Sequence, residues 1–196
     1  VDDGFDKLAV DLIQNTTDEK IQLILDRHEI HDLAMRYCRA CDRMDESMMR
    51  GVFHENAYIE YGFFDGHAPE FVGWVIEHFK AHYFHSFHSL SNEYVVLKGD
   101  EAFGELYAII HSRIKIENGV EDSIIGGRYL DDYERREGEW RIAHRRFVLD
   151  WVDSKPAQDE ALMKSTNSEL FFHGKMITTD LSYSVMPENP KRVLDW

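Results

Sequence analysis

Four long segments rich in β-branched and aromatic residues follow one another in the second half of the chain. They read SFHSLSNEYVVL, EAFGELYAIIHSRIKI, EDSIIGGRYLDDYERR and EWRIAHRRFVLDWV, and they are joined by the short stretches KGD, ENG and EG. Strands joined by tight turns that contain glycine are typical of antiparallel hairpins. The sequence therefore predicts a meander of four long strands, which ends at DSKP.

Helices are predicted before the meander. Thr16 and Glu19 form a capping-box pattern at the start of a long helix. Its apolar residues recur at spacings of three and four, as one buried helix face requires: Ile30, Leu33, Ala34, Tyr37, Cys41 and Met44. We interpret DESMMRGVF as a short helix, AYIEYGFF as a strand, DGHA as a turn and PEFVGWVIEHFKAHY as a helix with Pro69 in its first turn. Helices followed by hairpins indicate an α+β fold.

The charge balance excludes several kinds of partner. The chain has 22 Lys and Arg against 37 Asp and Glu, a formal net charge of −15. Such a field repels phosphate backbones and anionic lipids, so we expect neither nucleic-acid nor membrane binding. The chain has no apolar run of the ~20 residues that a membrane span needs, and its first residues do not resemble a signal peptide. We therefore expect a cytoplasmic protein.

Histidines and cysteines could suggest a metal or redox site. His78, His82 and His85 could share a helix face, but no cysteine or carboxylate stands at a spacing typical of zinc motifs. Cys38 and Cys41 form a CxxC pair deep inside the predicted helix, far from the helix N-terminus that activates a thiol. We expect no metal, no cofactor and only core packing for the cysteines.

Asp42 and His88 are the residues that point to chemistry. Asp42 stands at the C-terminal end of the long helix, where the helix dipole disfavours a carboxylate. One interpretation is an exposed ion pair with Arg39 or Arg43. The other is an inward-facing carboxylate that orients His88 as a base. Strand alternation puts His85 on the opposite face and groups His88 with four residues: Leu90, Asn92, Tyr94 and Val96.

These motifs resemble a known family. A helix with YCRACDRMD, a strand AYIEY, a helix PEFVGWV, then FHSFHSLSN and a meander ending YERREGEWRIAHR are similar to the SnoaL-like branch of the nuclear-transport-factor-2-like superfamily. That branch includes scytalone dehydratase, a hexachlorocyclohexane dehydrochlorinase and a bile-acid dehydratase. The resemblance implies a cone-shaped α+β barrel over residues 17–153, in which helices pack in a curved, mainly antiparallel sheet. Residues 154–196 would be an extension that packs on the domain or on a neighbouring subunit.

The resemblance also implies site residues. In these lyases an Asp at the end of the first helix pairs with a His of the first long strand, here Asp42 and His88. Tyr61 matches a tyrosine that holds a water in scytalone dehydratase, and Tyr37 one near the leaving hydroxyl of the bile-acid enzyme. Arg145, or its neighbour Arg146, matches a pocket arginine of the dehydrochlorinase: the catalytic set would be Asp42, His88, Tyr37, Tyr61 and Arg145.

The pocket would be apolar and aromatic. Its predicted lining also contains Tyr129, where scytalone dehydratase has an asparagine, and His111, which is out of register with that enzyme's second histidine. These departures indicate that scytalone is not the substrate. Walls that exclude water are expected from five aromatic residues: Phe63, Phe64, Trp74, Phe147 and Trp151.

The chemistry that these groups suit is elimination of water or halide from a small apolar cyclic, polyketide-like or steroid-like substrate, without a cofactor. Two alternatives remain open. An isomerase similar to ketosteroid isomerase would use the same dyad and return the proton to the ligand. A non-catalytic module, such as the small subunit of a ring-hydroxylating dioxygenase, would need no reactive dyad. We also expect a homo-oligomer, because the long meander carries apolar residues on both faces. The resemblance favours a trimer over a dimer, since related lyases are often trimers and other members are dimers.

Overall fold

The structure, a computed structural model that describes residues 16–157 and 174–185, begins with a long helix, α1 (Thr17–Arg43). The predicted capping box is present: the Glu19 N–H donates to the Thr16 hydroxyl, and the Glu19 carboxylate accepts the Thr16 N–H. Apolar residues at spacings of three and four form the buried face, as predicted. Met44 ends the helix in a left-handed conformation, with φ of 48°.

Two more helices and a short hairpin follow α1. Helix α2 (Glu46–Gly51) is capped by Asp45, and helix α3 (Ala68–His82) has Pro69 in its first turn. Strand β1 (Phe53–Glu60) pairs antiparallel with β2 (Asp65–His67). The prediction of a turn at DGHA is therefore wrong, because the chain already reverses at Gly62, whose φ is 75°. Within the described residues, no helix is long and apolar enough to cross a membrane.

The four predicted hairpin strands are present. They are β3 (Tyr83–Lys98), β4 (Glu101–Ile116), β5 (Gly119–Arg136) and β6 (Glu139–Pro156). The sheet has the order β2-β1-β6-β5-β4-β3, and every neighbouring pair is antiparallel except β1 and β6, which run parallel. The sheet is curved and unclosed, and β3 lies at one edge of it among the described strands. The predicted α+β class, with helices packed in a curved and mainly antiparallel sheet, is confirmed.

A β-bulge in β3 changes which side chains face inward. Asn92 has φ of 44° and interrupts the pairing of β3 with β4. His88, before the bulge, faces the interior, and beyond it Val95 is buried while Tyr94 and Val96 are exposed. The predicted alternation was therefore wrong for Tyr94 and Val96, since one extra residue moves the following side chains to the other face.

A buried carboxylate fastens α1 to the last hairpin. Asp26 is 4% exposed, and its Oδ1 accepts hydrogen bonds from Arg135 Nη1 at 2.6 Å, Trp140 Nε1 at 3.0 Å and Gln22 Nε2 at 2.9 Å. Arg135 also pairs with Asp100 on the β3–β4 turn. These contacts hold the helix against the concave face of the sheet.

Residues 174–185 contact the other end of α1 through a short helix, α4 (Leu181–Val185). The Tyr183 hydroxyl donates to Asp45, and the guanidinium of Arg39 lies 4.5 Å from the centre of the Tyr183 ring. Asp180 accepts hydrogen bonds from the backbone of Lys175 and from Ser182, while the guanidinium of Arg43 lies 3.4 Å away. Most of the predicted extension, including its apolar stretches at 169–173 and 192–196, lies outside the described residues.

Candidate active site

A cavity of about 430 Å³ lies between the helices and the concave face of the sheet. One wall comes from the helical side of the fold: Tyr37, Tyr61, Phe63, Trp74, Val75, His78 and Phe79. The opposite wall comes from the strands: Tyr83, Ser86, His88, Ile110, Ser112, Ile125, Tyr129 and Phe147. None of these residues is Lys, Arg, Asp or Glu, so the cavity suits an apolar ligand with a few polar groups.

Asp42 and His88 meet at the edge of the sheet. His88 Nδ1 donates to Asp42 Oδ1 over 2.6 Å, and the backbone N–H of His88 lies 3.1 Å from both carboxylate oxygens. The side chain of His88 is 5% exposed and that of Asp42 is 13% exposed. The structure therefore does not support an exposed ion pair of Asp42 with Arg39 or Arg43.

The position of β3 explains why this carboxylate is tolerated at a helix C-terminus. In the described sheet β3 is an edge strand, so its outward-facing N–H groups have no neighbouring strand there. Asp42 accepts one of them, together with the imidazole N–H, and these two bonds offset the unfavourable helix dipole. A carboxylate can only accept here, so His88 carries its hydrogen on Nδ1. The lone pair is left on Nε2, the nitrogen not bonded to Asp42.

Two tyrosine hydroxyls form a second polar group of the cavity. Tyr37 Oη and Tyr61 Oη are 2.8 Å apart, one from α1 and one from the end of β1. Burial raises the pKa of Tyr61, against the opposing effect of the Arg145 charge, and burial also raises the pKa of Tyr37. Both phenols therefore stay protonated at neutral pH. The pair can donate a hydrogen bond to an oxygen or halide of a bound molecule.

Arg145 lies behind the tyrosines and does not line the cavity. Its guanidinium makes two hydrogen bonds to Asp131, at 2.7 Å and 2.6 Å, and both residues are fully buried. The aromatic rings of Tyr37 and Tyr129 cover the guanidinium at 4.2 Å and 4.3 Å from their centres. The expectation that Arg145 lines the pocket is therefore wrong, because a buried carboxylate on the neighbouring strand holds its guanidinium in place. Arg146 faces outward and pairs with Glu60.

Three of the expected pocket residues lie elsewhere. His111 is exposed on the outer face, because its neighbours Ile110 and Ser112 are the β4 residues that face the cavity. Trp151 also lies outside and covers Gly126, since a bulge in β6 places an extra residue between it and Phe147. Phe64 packs in the core beside the cavity, with its ring 5.3 Å from that of Phe71. The remaining predicted residues are brought together in the lining: Phe63, Trp74, Tyr129 and Phe147.

The sequence interpretation missed polar residues of the lining. His78 stands four residues after Trp74 on α3, a spacing that places both on one helix face. Ser86 precedes His88 by two residues, so alternation along β3 predicts that it faces the same side. Ser112 pairs directly with Ser86 across β3 and β4. Helical spacing and strand alternation were therefore sufficient signals for His78 and Ser86.

Neither cysteine offers a reactive thiol. Cys38 and Cys41 are buried and unbonded to each other. Burial raises the pKa of Cys38 to about 12 and also raises that of Cys41, so both remain neutral thiols. Across residues 16–157 and 174–185, no group of three or more His, Cys, Asp or Glu side chains is placed to hold a metal ion.

This architecture defines a class: an α+β protein in which a curved sheet and the helices α1 and α3 enclose an aromatic cavity with an Asp–His pair at its edge. The model of the SnoaL-like domain family matches residues 22–146, and the chain belongs to that family. The resemblance drawn from the sequence motifs is thereby confirmed. No protein with a curated description matches the sequence.

Solved structures with the same fold share little sequence with the chain. A type 2 hexachlorocyclohexane dehydrochlorinase is 17% identical, with a TM-score of 0.65 over 70% of this chain and 94% of its own. A candidate scytalone dehydratase from Novosphingobium aromaticivorans is 17% identical, with a TM-score of 0.61 over 69% and 91%. A candidate aromatic ring hydroxylase from the same organism is 24% identical, with a TM-score of 0.60 over 67% and 94%. At this level of identity the likeness establishes the fold.

Proposed function

We propose that the chain is a cofactor-independent lyase that eliminates water or a halide from a small, neutral, apolar cyclic substrate, with His88 as general base. The observation that carries the proposal is the hydrogen bond of 2.6 Å from His88 Nδ1 to Asp42, because it leaves Nε2 as a proton acceptor on a residue that lines an aromatic cavity. We expect such an enzyme to work in the cytoplasm.

The reaction would begin with proton transfer from a substrate carbon to His88 Nε2. The electrons of the broken C–H bond form a C=C bond as the leaving group departs from the adjacent carbon. Asp42 stabilises the imidazolium that results, in the manner of a triad aspartate. A departing hydroxyl takes a proton from the Tyr37–Tyr61 pair and leaves as water, and the imidazolium then restores that proton; a halide leaves as the anion beside the same hydroxyls.

Arg145 would act through the tyrosines and not on the substrate. Its positive charge lies against the rings of Tyr37 and Tyr129 and favours negative charge that develops on the adjacent hydroxyls. Asp131 keeps the guanidinium fixed, so its effect needs no movement during the reaction. We therefore assign Arg145 as a positioning residue and Asp42, His88, Tyr37 and Tyr61 as the catalytic set.

The names of two similar structures support an elimination reaction, since one is a dehydrochlorinase and the other a candidate dehydratase. An isomerase would use the same Asp–His pair and return the proton to another carbon of the ligand. The two reactions differ in the mass of the product: a lyase product lacks water or hydrogen halide, and an isomerase product has the mass of its substrate. A binding module would leave both masses unchanged and bind without turnover.

The test starts with a thermal-shift screen of phenolic, steroid-like and polyketide-like compounds, followed by mass spectrometry of those that stabilise the protein. His88→Ala should lower turnover by about 10²–10⁴-fold, the usual contribution of a positioned base. Asp42→Asn should also lose most turnover, because its amide would donate to Nδ1 and move the imidazole hydrogen to Nε2.

His85→Ala is the matched control, since His85 lies three residues away on the exposed face of the same strand. This variant should keep full turnover, with all three compared at equal thermal stability. Undiminished elimination by His88→Ala, or an equal loss in His85→Ala, would contradict the role of the dyad.

A further inference from the structure

His78 is a polar group of the cavity that the elimination chemistry does not use. It lies near the end of α3 and is half-buried where it lines the cavity. In the part of the chain that the structure describes, no hydrogen bond or ion pair involves either of its ring nitrogens. His88, by contrast, is fixed by Asp42. An imidazole that accepts and donates no hydrogen bond among the described residues, and that lines an aromatic cavity, is available to a ligand.

A stack of three rings fixes the orientation of this imidazole. The rings of Phe63 and Trp74 are 5.6 Å apart at an interplanar angle of 29°, and those of Trp74 and His78 are 5.0 Å apart at 10°. The indole covers one face of the imidazole, while hydrogen bonds to ring nitrogens lie in the ring plane. Stacking therefore orders the side chain without occupying its nitrogens.

The surroundings of His78 favour its neutral form. Burial lowers the pKa of His78, and the nearby His82, whose ring centre is 4.7 Å away, lowers it further. A neutral imidazole offers one N–H donor and one acceptor nitrogen. Such a pair matches a hydroxyl group, which needs both, or a carbonyl oxygen, which needs the donor. It gives no charge to a carboxylate or phosphate.

The rest of the lining selects against a charged ligand. None of the lining residues is Lys, Arg, Asp or Glu, and the nearest buried cation, Arg145, is neutralised by Asp131 and covered by tyrosine rings. The chain's formal charge of −15 adds a general repulsion of anions. The ligand that fits is neutral.

We propose that His78 is a specificity-determining residue: it binds a hydroxyl or carbonyl oxygen of a neutral, planar ring compound that packs along the Phe63–Trp74–His78 stack. The inference deepens the proposed function, on which it rests for the identity of the cavity as the substrate site. The substrate then has two functional regions, one that reacts beside His88 and one that His78 recognises. A cyclic phenol or ketone has this chemistry, whereas a halogenated hydrocarbon without oxygen does not.

Binding of two probes tests the proposal without turnover: β-naphthol, and naphthalene as its oxygen-free counterpart, both followed by fluorescence titration. His78→Phe keeps a ring to stack on Trp74 and removes only the nitrogens. This variant should bind β-naphthol about 3- to 10-fold more weakly than the native chain, the effect of one hydrogen bond, and bind naphthalene as tightly as the native chain does. His78→Gln should recover part of the preference for β-naphthol.

His85→Phe is the matched control, because His85 is an exposed histidine of β3 that does not line the cavity. It should bind both probes as the native chain does. Three results would overturn the proposal: no binding of β-naphthol to the native chain, unchanged β-naphthol affinity in His78→Phe, or equal losses for both probes. These outcomes are independent of the dyad test. A chain that binds through His78 but never eliminates would keep this inference and lose the proposed lyase activity.

Discussion

Gly126 and Gly127 are neighbours in β5, but a Cβ added at each would clash with different atoms. A Cβ on Gly126 would lie 2.1 Å from the indole of Trp151, which is 48% exposed on the outer face. A Cβ on Gly127 would lie 2.5 Å from the Phe147 ring and 2.6 Å from the Val148 carbonyl oxygen. An exposed side chain can rotate away, whereas backbone and a cavity-lining ring cannot move without disturbing β6.

Gly127→Ala should therefore destabilise the fold by about 1–3 kcal/mol, the usual cost of overpacking. It should also change the affinity for cavity ligands, because Phe147 lines the cavity. Gly126→Ala should stay within about 1 kcal/mol of the native chain, because reduced freedom of the unfolded chain offsets the displacement of Trp151. Chemical denaturation of the two variants measures the difference. Equal free energies of unfolding would contradict this account.

At the level of single residues, the sequence was sufficient to predict where a side chain lies when one local rule, such as strand alternation, determines its position. Strand alternation placed His88 on the inner face and His85 outside, whereas the sequence left two interpretations open for Asp42, an exposed ion pair and an inward-facing carboxylate. Arg145 could not be assigned in this way, because strand alternation indicates that it faces inward but not that Asp131 on the next strand binds it. Such pairings depend on register between strands, which the order of residues does not reveal.

At the level of elements, the contact between α1 and the β5–β6 hairpin depends on Asp26. One oxygen of this carboxylate serves Arg135 on β5 and Trp140 on β6. Removing the carboxylate would leave a guanidinium and an indole N–H without their buried acceptor. Such losses are costly, because the groups give up water on folding and gain nothing in exchange.

Asp26→Ala should lower the free energy of unfolding by about 2–3 kcal/mol, the usual range for hydrogen bonds to a charged group. Asp100→Ala is the control, since Asp100 binds the same arginine but its side chain is 72% exposed. An exposed ion pair contributes about 0–1 kcal/mol, so this variant should remain close to the native chain. Urea denaturation of both variants decides the matter, and losses of similar size would mean that burial is not what makes Asp26 important.

The lengths and order of the main helices and strands could be predicted from the sequence. The β-bulges that interrupt the strands could not. Glycine-containing turns marked where the four long strands of the meander end, and periodicity marked the three helices. The bulges at Asn92 and Asp150 had no comparable signal, although each one moves the residues beyond it to the opposite face. The misplacement of Tyr94 and Trp151 has this single physical cause.

On the scale of the whole molecule, the outer face of the sheet is unusually apolar for a surface. Six large side chains on it are at least 40% exposed: Phe87, Tyr94, Phe103, Tyr107, Ile109 and Trp151. Apolar area of this kind typically marks an interface. We predict a homo-oligomer formed through this face, with a trimer favoured over a dimer.

Light scattering at micromolar concentration should report an oligomer for the native chain. Phe87→Glu combined with Ile109→Glu should shift it toward monomer without unfolding it, because both positions are on the exposed face of the sheet. Ile24→Glu, at a residue 66% exposed on α1, provides the control and should leave the assembly intact. A native chain that scatters as a monomer would refute the prediction.

Hydrogen exchange at the backbone amide of His88 can report on the contact between Asp42 and His88. Its hydrogen is held by the same carboxylate that orients the imidazole, so it can exchange with solvent deuterium only when the end of α1 separates from β3. Exchange at this one amide therefore measures how often the dyad comes apart, in the free protein and without any substrate. A ligand that binds only the assembled cavity must slow that exchange in proportion to its occupancy, whatever its chemical identity.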